Sequence, residues 1–252
     1  MFSAVRDHVI ARIEATPVRH APFEHLYVEE VFPADFYAEL QRQMVADSGY
    51  RRLNETGRVS EHYSSARLCL FPQDLKSIDA PGPQKAFWRE LFAAFSSSAF
   101  RQVWLRTFEQ TVKKHVGNVS RDKGPGAAAA FSETFLMRDL ETYALGPHTD
   151  SAQKLVSVLF YLARDESAPE LGTSLYRPKD RSFICPGGPH HRFDRFERVT
   201  TLPYKPNAMV AFPKSRVCFH GVEPVGSTKQ RDLLLFDMKW TWKPADPAAA
   251  PA

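Results

Sequence analysis

The stretch Tyr143–Asp150, YALGPHTD, decides how the rest of this sequence is read. It lies between two segments with the residue content of β-strands and ends on a histidine and an aspartate two positions apart. On a strand, residues i and i+2 project to the same side, so His148 and Asp150 would present an imidazole nitrogen and a carboxylate oxygen to a common point. In a turn they would be two unrelated polar groups. With nine histidines in 252 residues, one such pair is an ordinary coincidence, and its surroundings have to decide.

Working outward, segments 131–143, 154–162, 172–177, 197–204, 208–213, 217–222 and 231–240 are short and rich in Val, Leu, Phe, Tyr and Thr. Gly, Pro, Asp or Ser separate them, which predicts an antiparallel sandwich or barrel of jelly-roll type. The first half reads differently. Val5, Val9 and Ile13 recur at helical spacing, and Pro33 opens a short amphipathic helix carrying Phe36, Leu40 and Met44 on one face. Residues 86–116 read as two helices divided by Ser96–Ser98; Phe87, Leu91 and Phe95, then Phe100, Trp104 and Phe108, form stripes suited to packing on a sheet. Residues 47–75, with Arg51, Arg52, Arg58 and Arg67, are polar, basic and without helical period, as in a long lid or binding loop. GPGAAAA (124–130) reads as a linker, and KPADPAAAPA at the end has nothing to bury. The expected organisation is one mainly β domain: helical support and lid over 1–130, a catalytic β-core over 131–240 and a disordered tail over 241–252.

Composition narrows the function classes. Hydrophobic residues at 43% and aromatics at 12% exclude a largely disordered chain. The balance of 33 basic to 29 acidic residues contains no single-sign block, so no nucleic-acid partner is expected. Charges at Arg6, Asp7, Arg12 and Glu14 interrupt what would have to be an apolar leader, and no apolar run approaches a membrane span. A cytoplasmic protein with no membrane partner is the expectation. Cys69, Cys185 and Cys218 are odd in number and lack C-x-x-C spacing, which indicates neither a disulfide framework nor a zinc knuckle. A homodimer is compatible with the sequence, which does not fix one.

Two later features give the opening pair a purpose. His220 ends the apolar run AMVAFPKSRVCFH and is followed by Gly221, where backbone can pass close to a site. Eleven residues on, Arg231 opens the apolar strand RDLLLFDMKW. Two histidines and one carboxylate on one face of a metal define the facial triad of non-haem Fe(II) oxygenases.

His148-x-Asp150, His220 and Arg231, in this order and spacing, resemble the Fe(II)/2-oxoglutarate-dependent dioxygenase superfamily, whose core is a double-stranded β-helix of cupin-like jelly-roll form. Tyr143-x-x-Gly146 before the H-x-D, and ELGTSLYRP (170–178), are similar to the prolyl-hydroxylase-like branch. The likeness covers roughly 131–240. Two positions depart from the pattern: Thr173 stands for the second glycine of Gly-Gly-x-Leu, and Leu233 for the usual small residue two after the arginine.

The resemblance implies iron on His148, Asp150 and His220, 2-oxoglutarate and O2 in the three remaining positions, and the distal carboxylate of 2-oxoglutarate on Arg231. Succinate and CO2 would be the co-products of hydroxylating a small molecule or peptide. A planar guanidinium making two parallel hydrogen bonds suits that carboxylate. Tyr143 matches the tyrosine that donates to 2-oxoglutarate in the prolyl-hydroxylase branch, and Arg138 and Lys154, close to the H-x-D, are further candidates for a carboxylate. The insertion CPGGPHHRFDRF (185–196), with His190 and His191, reads as an exposed loop or lid in preference to a second metal site. Two rival readings are a jelly-roll binding module without catalysis, whose mark would be a broken triad, and a cupin-like zinc hydrolase, which leaves Arg231 without a task.

Overall fold

The computed structural model describes residues 1–121, 123, 126–140, 143–224 and 230–244. Among them, helix α1 spans Phe2–Ala15, strand β1 Leu26–Val28, α2 Ala34–Arg42, β2 Arg51–Arg52 and β3 Arg67–Leu70. Helices α3 (Gly82–Phe95), α4 (Ser98–Thr107) and α5 (Glu109–Ser120) follow. The remaining strands are β4 (Gly126–Asp139), β5 (Leu145–His148), β6 (Lys154–Leu162), β7 (Thr173–Pro178), β8 (Phe196–Leu202), β9 (Pro206–Pro213), β10 (His220–Val222) and β11 (Arg231–Pro244).

The strands make two antiparallel sheets, one in the order β1-β9-β6-β11-β4-β3-β2 and the other β5-β10-β7-β8. From β4 onward the chain alternates between them except at β7 and β8, which pair within the small sheet; the two sheets stack face to face, giving each strand of the large sheet one inner and one outer face. On β11, Leu233 and Leu235 belong to the apolar cluster between the sheets, while Leu234, Phe236 and Met238 belong to the cluster under the helices. The same sorting divides Phe135 and Met137 from Leu136 on β4, and Tyr161 from Val158 and Phe160 on β6.

The helical half covers the outer face of the large sheet. Val5, Val9 and Ile13 of α1 are buried in the same cluster as Phe87, Trp88, Leu91, Phe92 and Phe95 of α3, so the helices and the sheet share one core. Ser97 caps α4, its hydroxyl accepting from the Phe100 amide at 3.4 Å. Two contacts tie this layer to the segment after the H-x-D: His115 of α5 and the indole of Trp240 on β11 both reach the Ala152 carbonyl, each at 2.9 Å.

Several boundaries differ from the sequence reading. Residues 86–116 carry three helices, because the chain turns again at Phe108, whose ring stacks on Trp104 and stays in the core. Residues 126–130, expected as linker, begin β4 instead. Their small side chains let the backbone pair with β11 from Trp240 to Pro244, which also brings residues 241–244 of the expected tail into the sheet. Residues 245–252 lie outside the described residues. The 47–75 segment is not one loop: β2 and β3 extend the large sheet, with Cys69 and Leu70 fully buried. None of the described helices is long and apolar enough to cross a membrane.

Two histidines of this framework sit uncharged by design of their surroundings. Burial lowers the pKa of His25 and of His115 from the ordinary histidine value, although each ring nitrogen meets a carbonyl. The unfolded chain therefore takes up protons near about pH 6.5 that the folded chain does not, so stability present above that pH is lost as pH falls through it. Thermal melts should show a lower Tm at about pH 5.5 than at about pH 7.5, with a shallower pH slope in His115→Gln.

Candidate metal and dicarboxylate site

The strand pairing brings the proposed ligands together. On neighbouring strands, His220 of β10 stands directly opposite His148 of β5, and their ring centroids are 4.3 Å apart. That closeness depends on Gly221, where a Cβ would strike the Leu145 carbonyl oxygen of β5. Asp150 follows β5 and turns its carboxylate to both rings, with Oδ1 4.0 Å from His148 Nε2 and Oδ2 3.9 Å from His220 Nε2. Ligand atoms of the three residues all lie within 4.8 Å of one another, and among the described residues this is the one such group able to hold a metal ion.

The tautomers suit that role. His148 Nδ1 lies 3.0 Å from the Gly146 carbonyl and His220 Nδ1 2.9 Å from the Cys218 carbonyl. Each Nδ1 is thereby the protonated donor, which leaves the Nε2 lone pair facing Asp150. Burial lowers both imidazole pKa values, a second reason for neutral rings. Burial alone would raise the Asp150 carboxyl, but the Lys154 ammonium and the Ser157 hydrogen bond beside it bring it far below the usual carboxylate range. Ser157 donates to Asp150 Oδ2 at 2.7 Å. Two neutral nitrogens and one ionised oxygen on one side of a point form a donor set that fits Fe(II) and leaves the other side open.

Arg231, 2% exposed, lines the same cavity of about 70 Å³ as His148, Asp150 and His220. Its NH1 donates to Asp139 Oδ2 at 2.8 Å and its NH2 to Thr173 Oγ1 at 3.2 Å, while its buried Nε has no partner. Nε and NH2 form one edge of the guanidinium, and among the described residues only its NH2 half has a partner. Thr173, the departure from glycine, holds that edge in place and is itself held by the Tyr161 hydroxyl at 2.8 Å. Leu233, the other departure, joins Leu159, Phe212 and Leu235 in an apolar wall.

Charge is arranged in two opposite triplets. Across β3, β4 and β11, Arg67, Asp139 and Arg231 stand in register, and Asp139 takes a bidentate contact from Arg67 at 2.6 and 2.9 Å beside the one from Arg231. Near the metal ligands, Lys154 lies between Asp150 at 3.2 Å and Asp237 at 2.9 Å. One triplet has a net charge of +1 and invites an anion; the other has −1 and invites a cation. Arg231, Leu233, Leu235 and Asp237 all lie on the inner stripe of β11, which therefore serves both triplets.

The other sequence candidates divide. Lys154 lines the cavity, but its ammonium is engaged by the two aspartates. Arg138 is not brought to the cavity. One residue from Asp139, it faces the outer side of β4, where Asp232 holds it at 2.6 Å and Asp47 also pairs with it, beside a separate cleft of about 580 Å³. Tyr143 is not among the cavity-lining residues: its ring lies 4.2 Å beneath the Arg67 guanidinium and its hydroxyl 2.8 Å from that of Tyr63. A third cleft of about 460 Å³, between α5 and residues 213–217, is lined by none of the triad residues.

The insertion acts as cover. His191 donates its amide to the Pro147 carbonyl at 2.9 Å, and a Cβ on Gly146 would strike the His191 carbonyl oxygen, so this segment crosses β5 at close range. His190 packs edge-on over His148 with centroids 4.8 Å apart and also meets Tyr63. Residues the sequence reading missed are Asp139, Ser157 and Asp237, while Arg67 was placed in a loop. A signal existed in FLMRD and LLLFDMKW: an acid inside an apolar strand needs a buried partner.

Neither a protein-family model nor a curated protein sequence matches the chain. Solved structures do match. A prolyl 4-hydroxylase from Phytophthora capsici is similar at 14% identity and a TM-score of 0.50, over 95% of this chain and 65% of that one. A prolyl-4-hydroxylase from Pseudomonas putida is 16% identical with a TM-score of 0.46, over 95% and 98% of the two chains. An oxidoreductase of the 2OG-Fe(II) oxygenase family from Burkholderia pseudomallei is 11% identical with a TM-score of 0.45, over 93% and 89%. At these identities the likeness is one of architecture: this chain has the fold of the Phytophthora prolyl 4-hydroxylase.

Proposed function

We propose that this protein is an Fe(II)- and 2-oxoglutarate-dependent oxygenase that hydroxylates a C–H bond of a small molecule or peptide. The carrying observation is that one buried cavity holds a His148–Asp150–His220 donor set and an arginine with an unpartnered Nε. A dication at the triad and a carboxylate at Arg231 would satisfy both, as iron and 2-oxoglutarate do. We read the alternation of strands β4 to β11 between two sheets as a double-stranded β-helix, and the whole chain as one domain whose helices support it.

When bound, iron with 2-oxoglutarate supplies dioxygen activation and C–H hydroxylation, with succinate and CO2 as co-products. The chain's own residues supply placement. His148 and His220 present fixed Nε2 lone pairs because their Nδ1 protons are committed to carbonyls. Asp150 completes the set from the same side, oriented by Ser157 and Lys154. Arg231 would receive the distal carboxylate, and Thr173 and Asp139 hold the guanidinium for it. Leu159, Phe212, Leu233 and Leu235 keep water from that contact and so strengthen it. His190 and Tyr63 narrow the approach to His148.

Anaerobic addition of Fe(II) and 2-oxoglutarate should produce a visible charge-transfer band in the wild type and none in His220→Ala. A wild type without the band would overturn the reading. Arg231→Leu should bind the metal as the wild type does but lose 2-oxoglutarate affinity on the order of a hundredfold, since it removes a buried charge-assisted pair. Calorimetric titration of the metal-loaded protein checks this; unchanged 2-oxoglutarate affinity would take the clamp role from Arg231.

A further inference from the structure

Lys154 has no carboxylate left to bind, because two carboxylates of the protein already hold it. Its Nζ lies 3.2 Å from Asp150 Oδ1 and 2.9 Å from Asp237 Oδ1, and it donates to Ser157 Oγ at 3.3 Å. Asp237 is buried on the inner stripe of β11, and among the described residues this ammonium is its one ion-pair partner. A facial triad needs one carboxylate; this site buries two within reach of a single lysine. Without that lysine, the cation end of the cavity would carry a net charge of −2 in place of −1.

We propose that Lys154 is a positioning and charge-balancing residue: by holding Asp150 and Asp237 together, it moderates the attraction of the centre for a dication and preserves its attraction for the anionic cosubstrate. The inference rests on the oxygenase reading and deepens it. The physical reason is the sign of one buried charge. A fixed ammonium bonded to a ligand carboxylate opposes an incoming cation and favours an incoming dianion, and in an apolar cavity both effects are weakly screened.

The test separates the two affinities. Wild type, Lys154→Met, Lys154→Arg and the double variant Lys154→Met/Asp237→Asn are titrated anaerobically with Co(II), then, metal-saturated, with 2-oxoglutarate. The Lys154→Met protein should bind Co(II) about tenfold tighter and 2-oxoglutarate about tenfold more weakly. Lys154→Arg, which keeps the charge, and the double variant, which restores the net charge, should both return toward wild type. Damage to packing would weaken both affinities together, so a joint loss, or no change in either, overturns the proposal. If Lys154→Met does not fold, Lys154→Arg and Asp237→Asn decide: Asp237→Asn should weaken Co(II) binding and strengthen 2-oxoglutarate binding, and the reverse or no change refutes the idea. A wild type that takes up neither Co(II) nor 2-oxoglutarate refutes the oxygenase reading itself, and this inference with it.

Discussion

Charge buried between two apolar sheets has to be compensated, and the inner face of this protein is organised by that requirement. Arg67, Asp139 and Arg231 neutralise one another in a row across three strands, and Asp150, Lys154 and Asp237 do so at the metal ligands. An isolated charge in either place would cost several kcal/mol, whereas the alternating rows keep each ion paired. Each row nevertheless stops one charge short of neutrality. The residual charges, opposite in sign and facing one cavity, are what make the interior receptive to a cation at one end and an anion at the other.

The period of the β-strand makes this possible without loss of core. Every second residue of β11 points inward, so Arg231 and Asp237 share a face with Leu233 and Leu235, while Leu234, Phe236 and Met238 pack under the helices. Residues 231–238 are all buried, but the two faces have different tasks. The same rule explains why adjacent arginine and aspartate on β4 part company: Asp139 enters the inner row, and Arg138 pairs with Asp232 and Asp47 on the other side of the sheet.

Much of this was legible in the chain. The triad could be read because a strand puts His148 beside Asp150, and because His220 ends an apolar run next to a glycine; the structure places those side chains together. The β-strand segments were legible through their composition and turn residues, and the amphipathic stripes of α1 and α3 through their spacing. What escaped was non-local. Nothing in the sequence says that Arg67 pairs in register with Asp139, or that Ala127–Ala130 lie along residues 240–243 of β11, since short side chains read as linker until a partner strand is known. Lys154 was recognised as near the site but assigned to a ligand, because its two protein partners are 4 and 83 positions away in sequence.

The carbonyl of Ala152 is a small feature with wide reach. It receives hydrogen bonds from His115 on α5 and from Trp240 on β11, two residues after Asp150. The helical layer is thus fastened to the very segment that carries Asp150, rather than merely laid over the sheet. A shift in how α5 seats on the sheet would reach the Asp150 carboxylate from behind, along the backbone and without passing through the cavity.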